Sequence, residues 1–250
     1  MQLSEVQKIG VMGGGVMGGG IAQVCAMAGY EVLVRDLNDD LIAVTREAVI
    51  DGKWGMKRAV ERGKLDFDEG VAAMARVSFT TETKDLAESD LVIEAIPEKL
   101  ELKQEALKEL DGIVKPGAIF ASNTSGFVIG EVARDVSEAR RALFVGMHFS
   151  NPVPTMKMCE VVFTPDTSEE TIATVAGLGE KVGKNVSLVK DMPETYGFLL
   201  NRIFAAARRE ANQIVEDGIA TPEDVDKAVM GGRNWPAGFF GSRGGMGKQW

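Results

Sequence analysis

Histidine and cysteine are nearly absent from this chain, which has one histidine, His148, and two cysteines, Cys25 and Cys159. Two thiols cannot build a disulfide framework, and one imidazole among scattered carboxylates gives no zinc-type ligand spacing, so no metal site is expected. Both cysteines sit among apolar residues and read as reduced packing residues. Long apolar runs are missing too. No stretch approaches the roughly 18 uncharged residues of a membrane span, and the opening MQLSEVQK lacks the basic start and apolar core of a signal peptide. The expectation is a protein with no membrane partner, with the cytoplasm as its default location. Positive charge is also short, the formal net charge being −9. Nucleic-acid binders need a broad positive field, so no nucleic-acid partner is expected.

What remains is enough for a core: 250 residues at 45% hydrophobic composition suit one large domain, alone or with a small companion. Short β-branched runs alternate with helical stretches from Lys8 to about Lys190. The strand candidates are KIGVMG, EVLVRD, RVSFTT, DLVIEAI, AIFASN, ALFVGMHF, CEVVFT and NVSLVK. Helical patterns cover Met17 to Ala28, Asp39 to Arg62, Lys99 to Val114 and Glu169 to Val182, with Gly29, Gly63 and Pro116-Gly117 as stops. This alternation predicts a doubly wound, mainly parallel sheet of the Rossmann type over residues 1–190. After the linker DMPETYG, Phe198 to Asp217 reads as one helix, and Thr221-Pro222 caps and opens another. Residues 191–250 therefore read as a short, all-α C-terminal domain, small enough that it should pack on the first domain or on another subunit. It ends in an aromatic, glycine-rich tail.

Gly13-x-Gly15-x-x-Gly18 follows the first strand and opens the first helix, and Asp36 closes the next strand eighteen residues beyond Gly18. Gly13 permits the tight turn, Gly15 lets the backbone approach a pyrophosphate, and Gly18 allows close helix packing. The helix N-terminus supplies amide donors. Strand, helix and acid together predict dinucleotide binding through Gly13, Gly15, Val16, Met17, Gly18 and Asp36. Asp36 favours NAD over NADP by accepting ribose hydroxyls; Arg35, if turned inward, could accommodate the extra phosphate of NADP.

Polar residues gather at three further strand ends: Glu98, the run Ser122-Asn123-Thr124-Ser125, and His148. Ligands collect at such ends in open α/β sheets. Taken singly, each serine or asparagine fits a turn or cap, and a lone histidine fits a structural role. The segment Lys53 to Lys64 carries Lys53, Lys57, Arg58, Arg62 and Lys64 against a single acid, Glu61. It is either a solvated helix face or a seat for the phosphates of a bulky anionic substrate.

GGGVMGGGIAQ, EAIPEKLELKQ, ASNTSG, HFSNPVPTMKMCE and GFLLNR, in this order over roughly residues 8–230, resemble the L-3-hydroxyacyl-CoA dehydrogenase family, which includes bacterial 3-hydroxybutyryl-CoA dehydrogenases. The resemblance implies hydride transfer between the 3-carbon of an acyl-CoA and NAD. It implies His148 as the general base and acid, Glu160 as its partner carboxylate, Ser125 at the reacting oxygen and Asn201 holding substrate. Glu98, Lys103 and Asn151 match positions that contact or order the cofactor, with Asn123 as a further candidate. Lys53, Lys57 and Arg62 are the candidates for CoA, and a homodimer or larger homo-oligomer is expected.

The sequence departs from the family at several places. Gly126 stands where many members have a second serine, and the family's PGF has become PETYGF. Gly55 and Arg62 align where members place a serine and a lysine near CoA. The run NWPAGFFGSRGGMGKQW replaces the family's further helices, and its aromatics Trp235, Phe239, Phe240 and Trp250 are expected to fold over a neighbouring subunit or beside the acyl pocket. Two other readings stay open: a dehydrogenase of a hydroxy acid without CoA, and a dinucleotide-binding protein without turnover.

Overall fold

The structure is a computed structural model that describes residues 1–192 and 196–241. It divides into two units, Met1–Phe198 and Leu199–Trp250; the sequence reading had set the division after residue 190. The first unit is built on one eight-stranded sheet. Its strands are β1 (Lys8–Met12), β2 (Glu31–Arg35), β3 (Val77–Thr80), β4 (Leu91–Glu94), β5 (Ile119–Ser122), β6 (Phe144–Phe149), β7 (Met158–Phe163) and β8 (Asn185–Lys190). They lie in the order β3-β2-β1-β4-β5-β6-β7-β8. The first six pair in parallel, β7 runs antiparallel to β6, and β8 is parallel to β7. All eight strands coincide with the runs expected from sequence.

Helices cover both faces because successive strand residues point to opposite sides. On β5, Ile119 and Ala121 join one buried cluster with Ile21 and Val24 of α1 (Val16–Met27) and Leu178 of α8 (Glu169–Lys181). Phe120, between them, joins the other cluster with Leu107 and Leu110 of α5 (Leu100–Ile113). The same alternation sends Met147 and Phe149 of β6, and Cys159 and Val161 of β7, into the first cluster. His148 and Glu160 are left for the opposite face.

One expected helix is broken. The pattern from Asp39 to Arg62 divides into α2 (Asp39–Ile50), a turn over 51–55 and α3 (Met56–Glu61). α2 begins where Asn38 accepts the Leu41 amide at 2.9 Å, a cap contributing about 1 kcal/mol. A further helix, α4 (Phe67–Ala75), capped by Asp66, was not anticipated. Two short turns, α6 (Ile129–Val132) and α7 (Glu138–Arg141), follow β5.

In the second unit, α9 (Leu199–Glu216) and α10 (Pro222–Arg233) enclose a small core of Ala211, Val225 and Phe239, with Trp235 and Phe240 packed on it. Thr221 caps α10 through the Asp224 amide. The described part of the aromatic tail packs on its own helices; Phe204 lies 5.2 Å from Phe239, centroid to centroid. Residues 242–250, with Trp250, lie outside the described residues, as do 193–195 of the altered PETYGF segment. Among the described residues no helix is long and apolar enough to cross a membrane.

Candidate active site

The strand order reverses between β1 and β4, and at such a switch point an open α/β sheet leaves a crevice beyond its carboxyl ends. The glycine loop lies there. Gly13 has φ +97°, a left-handed backbone that a side chain disfavours, and its N–H donates to the Arg35 carbonyl at 2.8 Å. A Cβ at Gly18 would come within 1.7 Å of the Gly13 carbonyl oxygen, so only glycine lets α1 start this close to β1. At Gly15, the N-cap of α1, a Cβ would meet nothing within 4 Å. That bare approach to a helix N-terminus fits a pyrophosphate.

The crevice is a cavity of about 640 Å³ walled by Gly13, Gly15, Val16, Met17, Asp36 and Ile96, among others. Asp36 accepts the Gly14 amide at 2.8 Å through one carboxylate oxygen and the Leu37 amide at 2.7 Å through the other. It therefore braces the loop as well as facing the cavity. Arg35 lines the same wall, and its Nε is buried without a hydrogen-bond partner.

Antiparallel pairing sets His148 opposite Glu160, which turns a separation of twelve residues in sequence into direct contact. Nδ1 of His148 lies 2.7 Å from Oε2 of Glu160, with the side chains 8% and 2% exposed. Phe198 packs edge-on against the imidazole, with ring centroids 5.6 Å apart. A buried carboxylate must be paired and hydrogen-bonded, and an imidazole N–H is a fitting donor. With Nδ1 engaged, Nε2 is the nitrogen left for proton exchange.

Beside this pair runs a second polar network. Glu94, at the end of β4, is fully buried and accepts from Lys103 Nζ at 2.6 Å, the Ile96 amide at 2.8 Å and Ser122 Oγ at 2.5 Å. Lys103, 1% exposed, also lies 3.3 Å from Glu98. Glu98 in turn accepts from Thr124 Oγ1 at 2.6 Å and the Ser125 amide at 2.8 Å. Burying two ions costs several kcal/mol each before pairing, so Lys103 is tolerated here because two carboxylates and the Ile96 carbonyl surround it. Asn123 is a strut, its Oδ1 accepting the Phe149 amide at 2.9 Å.

The sequence reading had singled out Glu98 and Lys103 but missed Glu94. Its signal was available: a carboxylate inside the apolar run LVIEAI must find a buried cation.

Asn151 begins a turn whose Val153 and Met156 carbonyls are held by the buried ammonium of Lys184. It lines a second cavity, of about 500 Å³, with Pro152, Lys53 and Trp54. Of the expected basic stripe, Lys57 is paired with Asp51 at 2.6 Å and Arg58 with Glu61 at 2.6 Å. The stripe is thus less cationic than its spacing implied. Lys53 and Arg62 instead flank the Trp54 ring, at 4.9 and 5.9 Å from its centroid. Asn201 lies exposed in the first turn of α9, in the second unit. Burial pushes the thiols of Cys25 and Cys159 up to about 12, only partly offset by the Lys184 charge. Neither is a nucleophile at neutral pH.

Comparison with known proteins fits this geometry. Residues 8–192 match the model for the 3-hydroxyacyl-CoA dehydrogenase NAD-binding domain, and 197–247 match that for the 3-hydroxyacyl-CoA dehydrogenase C-terminal domain. The chain belongs to the 3-hydroxyacyl-CoA dehydrogenase family. Among its relatives is a "probable 3-hydroxybutyryl-CoA dehydrogenase" of Deinococcus radiodurans, 42% identical over 92% of this chain and 80% of that protein. A 3-hydroxybutyryl-CoA dehydrogenase of Mycobacterium tuberculosis is 40% identical over 93% of this chain and 79% of that protein. The crystal structure of an (S)-3-hydroxybutyryl-CoA dehydrogenase from Ralstonia eutropha superposes with a TM-score of 0.84 at 36% identity, covering 94% of this chain and 80% of that one. The crevice beside Gly13 and Asp36 therefore belongs to the NAD-binding domain of a dehydrogenase family.

Replacing Asp36 by alanine removes the brace on Gly14 and the carboxylate facing the cavity. Hydrogen bonds to charged groups contribute about 1.5–3 kcal/mol, so Asp36→Ala is expected to weaken NADH binding at least tenfold and to narrow the preference for NADH over NADPH. Fluorescence titration with both nucleotides measures this. An unchanged NADH to NADPH ratio would show that Asp36 serves only the loop.

Proposed function

We propose that this chain is an NAD-dependent oxidoreductase interconverting a 3-hydroxyacyl-CoA and a 3-oxoacyl-CoA, with His148 as general base and acid. The observation that carries the reading is the buried 2.7 Å contact between His148 and Glu160. When bound, NAD supplies hydride acceptance at the substrate's C3 in oxidation and hydride donation in reduction. Gly13, Gly15, Gly18 and Asp36 would hold it, with Glu98 and Lys103 ordering the nicotinamide end.

The chain's own residues handle the proton. During oxidation, His148 takes the 3-hydroxyl proton at Nε2 as the carbonyl forms, and its Nδ1–H stays directed at Glu160. The Glu160 carboxylate fixes the tautomer and stabilises the imidazolium. In reduction the same proton returns from Nε2 to the new hydroxyl. Ser125 binds the reacting oxygen from a loop held by Glu98, and Asn201 is assigned to holding the substrate. Lys53, Lys57 and Arg62 are assigned to CoA, supported by the cations beside Trp54. Lys57 is the weaker of the three because Asp51 already neutralises it.

Cytoplasmic residence belongs to the same reading, supported by two buried free cysteines. A homodimer or larger homo-oligomer is supported by Leu199, Leu200 and Ile203, exposed along α9. Sedimentation at micromolar concentration tests it, and a stable monomer removes that part.

The deciding assay is NADH oxidation with acetoacetyl-CoA, run beside free acetoacetate and beside NADPH. Turnover is expected with the CoA ester and NADH, and little with the free acid. Equal turnover of free acetoacetate points to a hydroxy acid without CoA, and silence despite NADH binding points to a protein that binds without turnover. General acid–base catalysis contributes roughly 10²–10⁴-fold, so His148→Asn should lower kcat by about that factor while keeping the NADH Kd within about threefold. Equal loss of both would assign His148 to folding.

A further inference from the structure

The connection between β6 and β7 is held from outside itself. Within the turn, the Thr155 and Met156 amides and Thr155 Oγ1 all close on the Pro152 carbonyl, at 3.0, 3.0 and 3.1 Å. The carbonyls of Val153 and Met156 are taken instead by Lys184 Nζ, the second at 2.9 Å. Lys184 stands just before β8, and its neighbours add two further ties. The Asn185 amide donates to the Lys157 carbonyl at 2.6 Å, and Lys157 Nζ donates to the Gly183 carbonyl at 3.2 Å.

Lys184 is 7% exposed. Lys103, also buried, has two carboxylates beside it, whereas Lys184 has no ion-pair partner among the described residues. Burial first, and then the charge of Lys157, lower its pKa, against the smaller opposing effect of the Cys159 and Cys25 thiols. A buried ammonium without a counter-charge is costly. What offsets the cost here is the pair of carbonyls, which an apolar side chain could not satisfy.

The turn so held is a wall of the second cavity. Asn151 to Pro154 line it together with Gly14, Gly15 and Gly20 of the glycine loop and α1. Val153 is buried in the same cluster as Ile21 of α1. A Cβ at Gly20 would lie 2.9 Å from Val153 Cβ and 3.4 Å from Pro154 Cδ, so the turn sits directly on the start of α1.

We propose that Lys184 is a positioning residue for the dinucleotide: by holding two carbonyls of the 152–156 turn it seats that turn against α1, and so sets the wall that Asn151 to Pro154 give the cavity beside the glycine loop. Lys184 acts through the turn. The role rests on the proposed function in one respect, that Asn151 contacts the bound dinucleotide.

Hydrogen exchange and NADH titration of the intact protein test the proposal together. Losing hydrogen bonds from a charged donor shifts a local opening equilibrium by roughly tenfold or more, so in Lys184→Met the Thr155 and Met156 amides should exchange about tenfold faster, with β1 and β4 unchanged. The NADH Kd should rise by about the same tenfold factor. Lys157→Met, which cuts only the exposed tie to Gly183, should keep both quantities within about twofold. In the wild type, saturating NADH should slow the same two amides by about threefold or more, a measurement that needs no variant to fold.

Exchange or NADH affinity within about twofold of wild type in Lys184→Met overturns the proposal, as does an equal loss in Lys157→Met or a failure of NADH to slow the two amides. With acetoacetyl-CoA, the KM for NADH should rise about tenfold in Lys184→Met while kcat falls less than about threefold, the pattern of lost uniform binding. Weakened NADH binding in the variant of a wild-type protein that does not turn over acetoacetyl-CoA supports this proposal and sinks the functional reading.

Discussion

The antiparallel pairing of β6 with β7 is the constraint on which the site depends. Six parallel strands build the crevice, but only a reversal of direction can put His148 and Glu160, twelve residues apart, in direct register. Strand alternation then does the rest, sending the neighbours Met147, Phe149, Cys159 and Val161 into one core and leaving the imidazole and carboxylate together on the other face. Since a one-residue slip would turn every side chain over, the apolar residues that fix the register also fix the pair.

Around this pair the molecule concentrates buried polarity. Glu94, Lys103, Ser122, Thr124 and Glu98 form a continuous hydrogen-bonded path from the end of β4 to the amide of Ser125. Buried charges in such a path are costly unless every partner is present. The same cost makes the path stiff, because a displaced Lys103 would leave Glu94 buried and uncompensated. Under the proposed function this turn presents Ser125 to the reacting oxygen, and stiffness suits that task because small misplacements there reduce rates steeply.

Much of this was legible in the sequence because it rests on local rules. The β-branched runs located all eight strands, and the glycine spacing with Asp36 located the crevice. What the sequence left hidden depends on distant parts of the chain meeting. The break of the helix expected over Asp39 to Arg62 follows from the turn at 51–55, whose apolar periodicity looked continuous. Neutralisation of Lys57 came from Asp51, just outside the basic segment. Glu94 gave a signal that was readable but not read, a carboxylate within an apolar strand.

Because the chain contains a single histidine, labelling with ¹⁵N-histidine gives an NMR spectrum of one imidazole, and its two nitrogens report the tautomer directly. At a pH where the ring is neutral, Nδ1 is expected to carry the proton, hydrogen-bonded to Glu160, with Nε2 bare and taking up the proton on acidification. A neutral ring protonated at Nε2, with Nδ1 bare, would contradict the account, because the nitrogen assigned to the substrate hydroxyl could not then accept its proton.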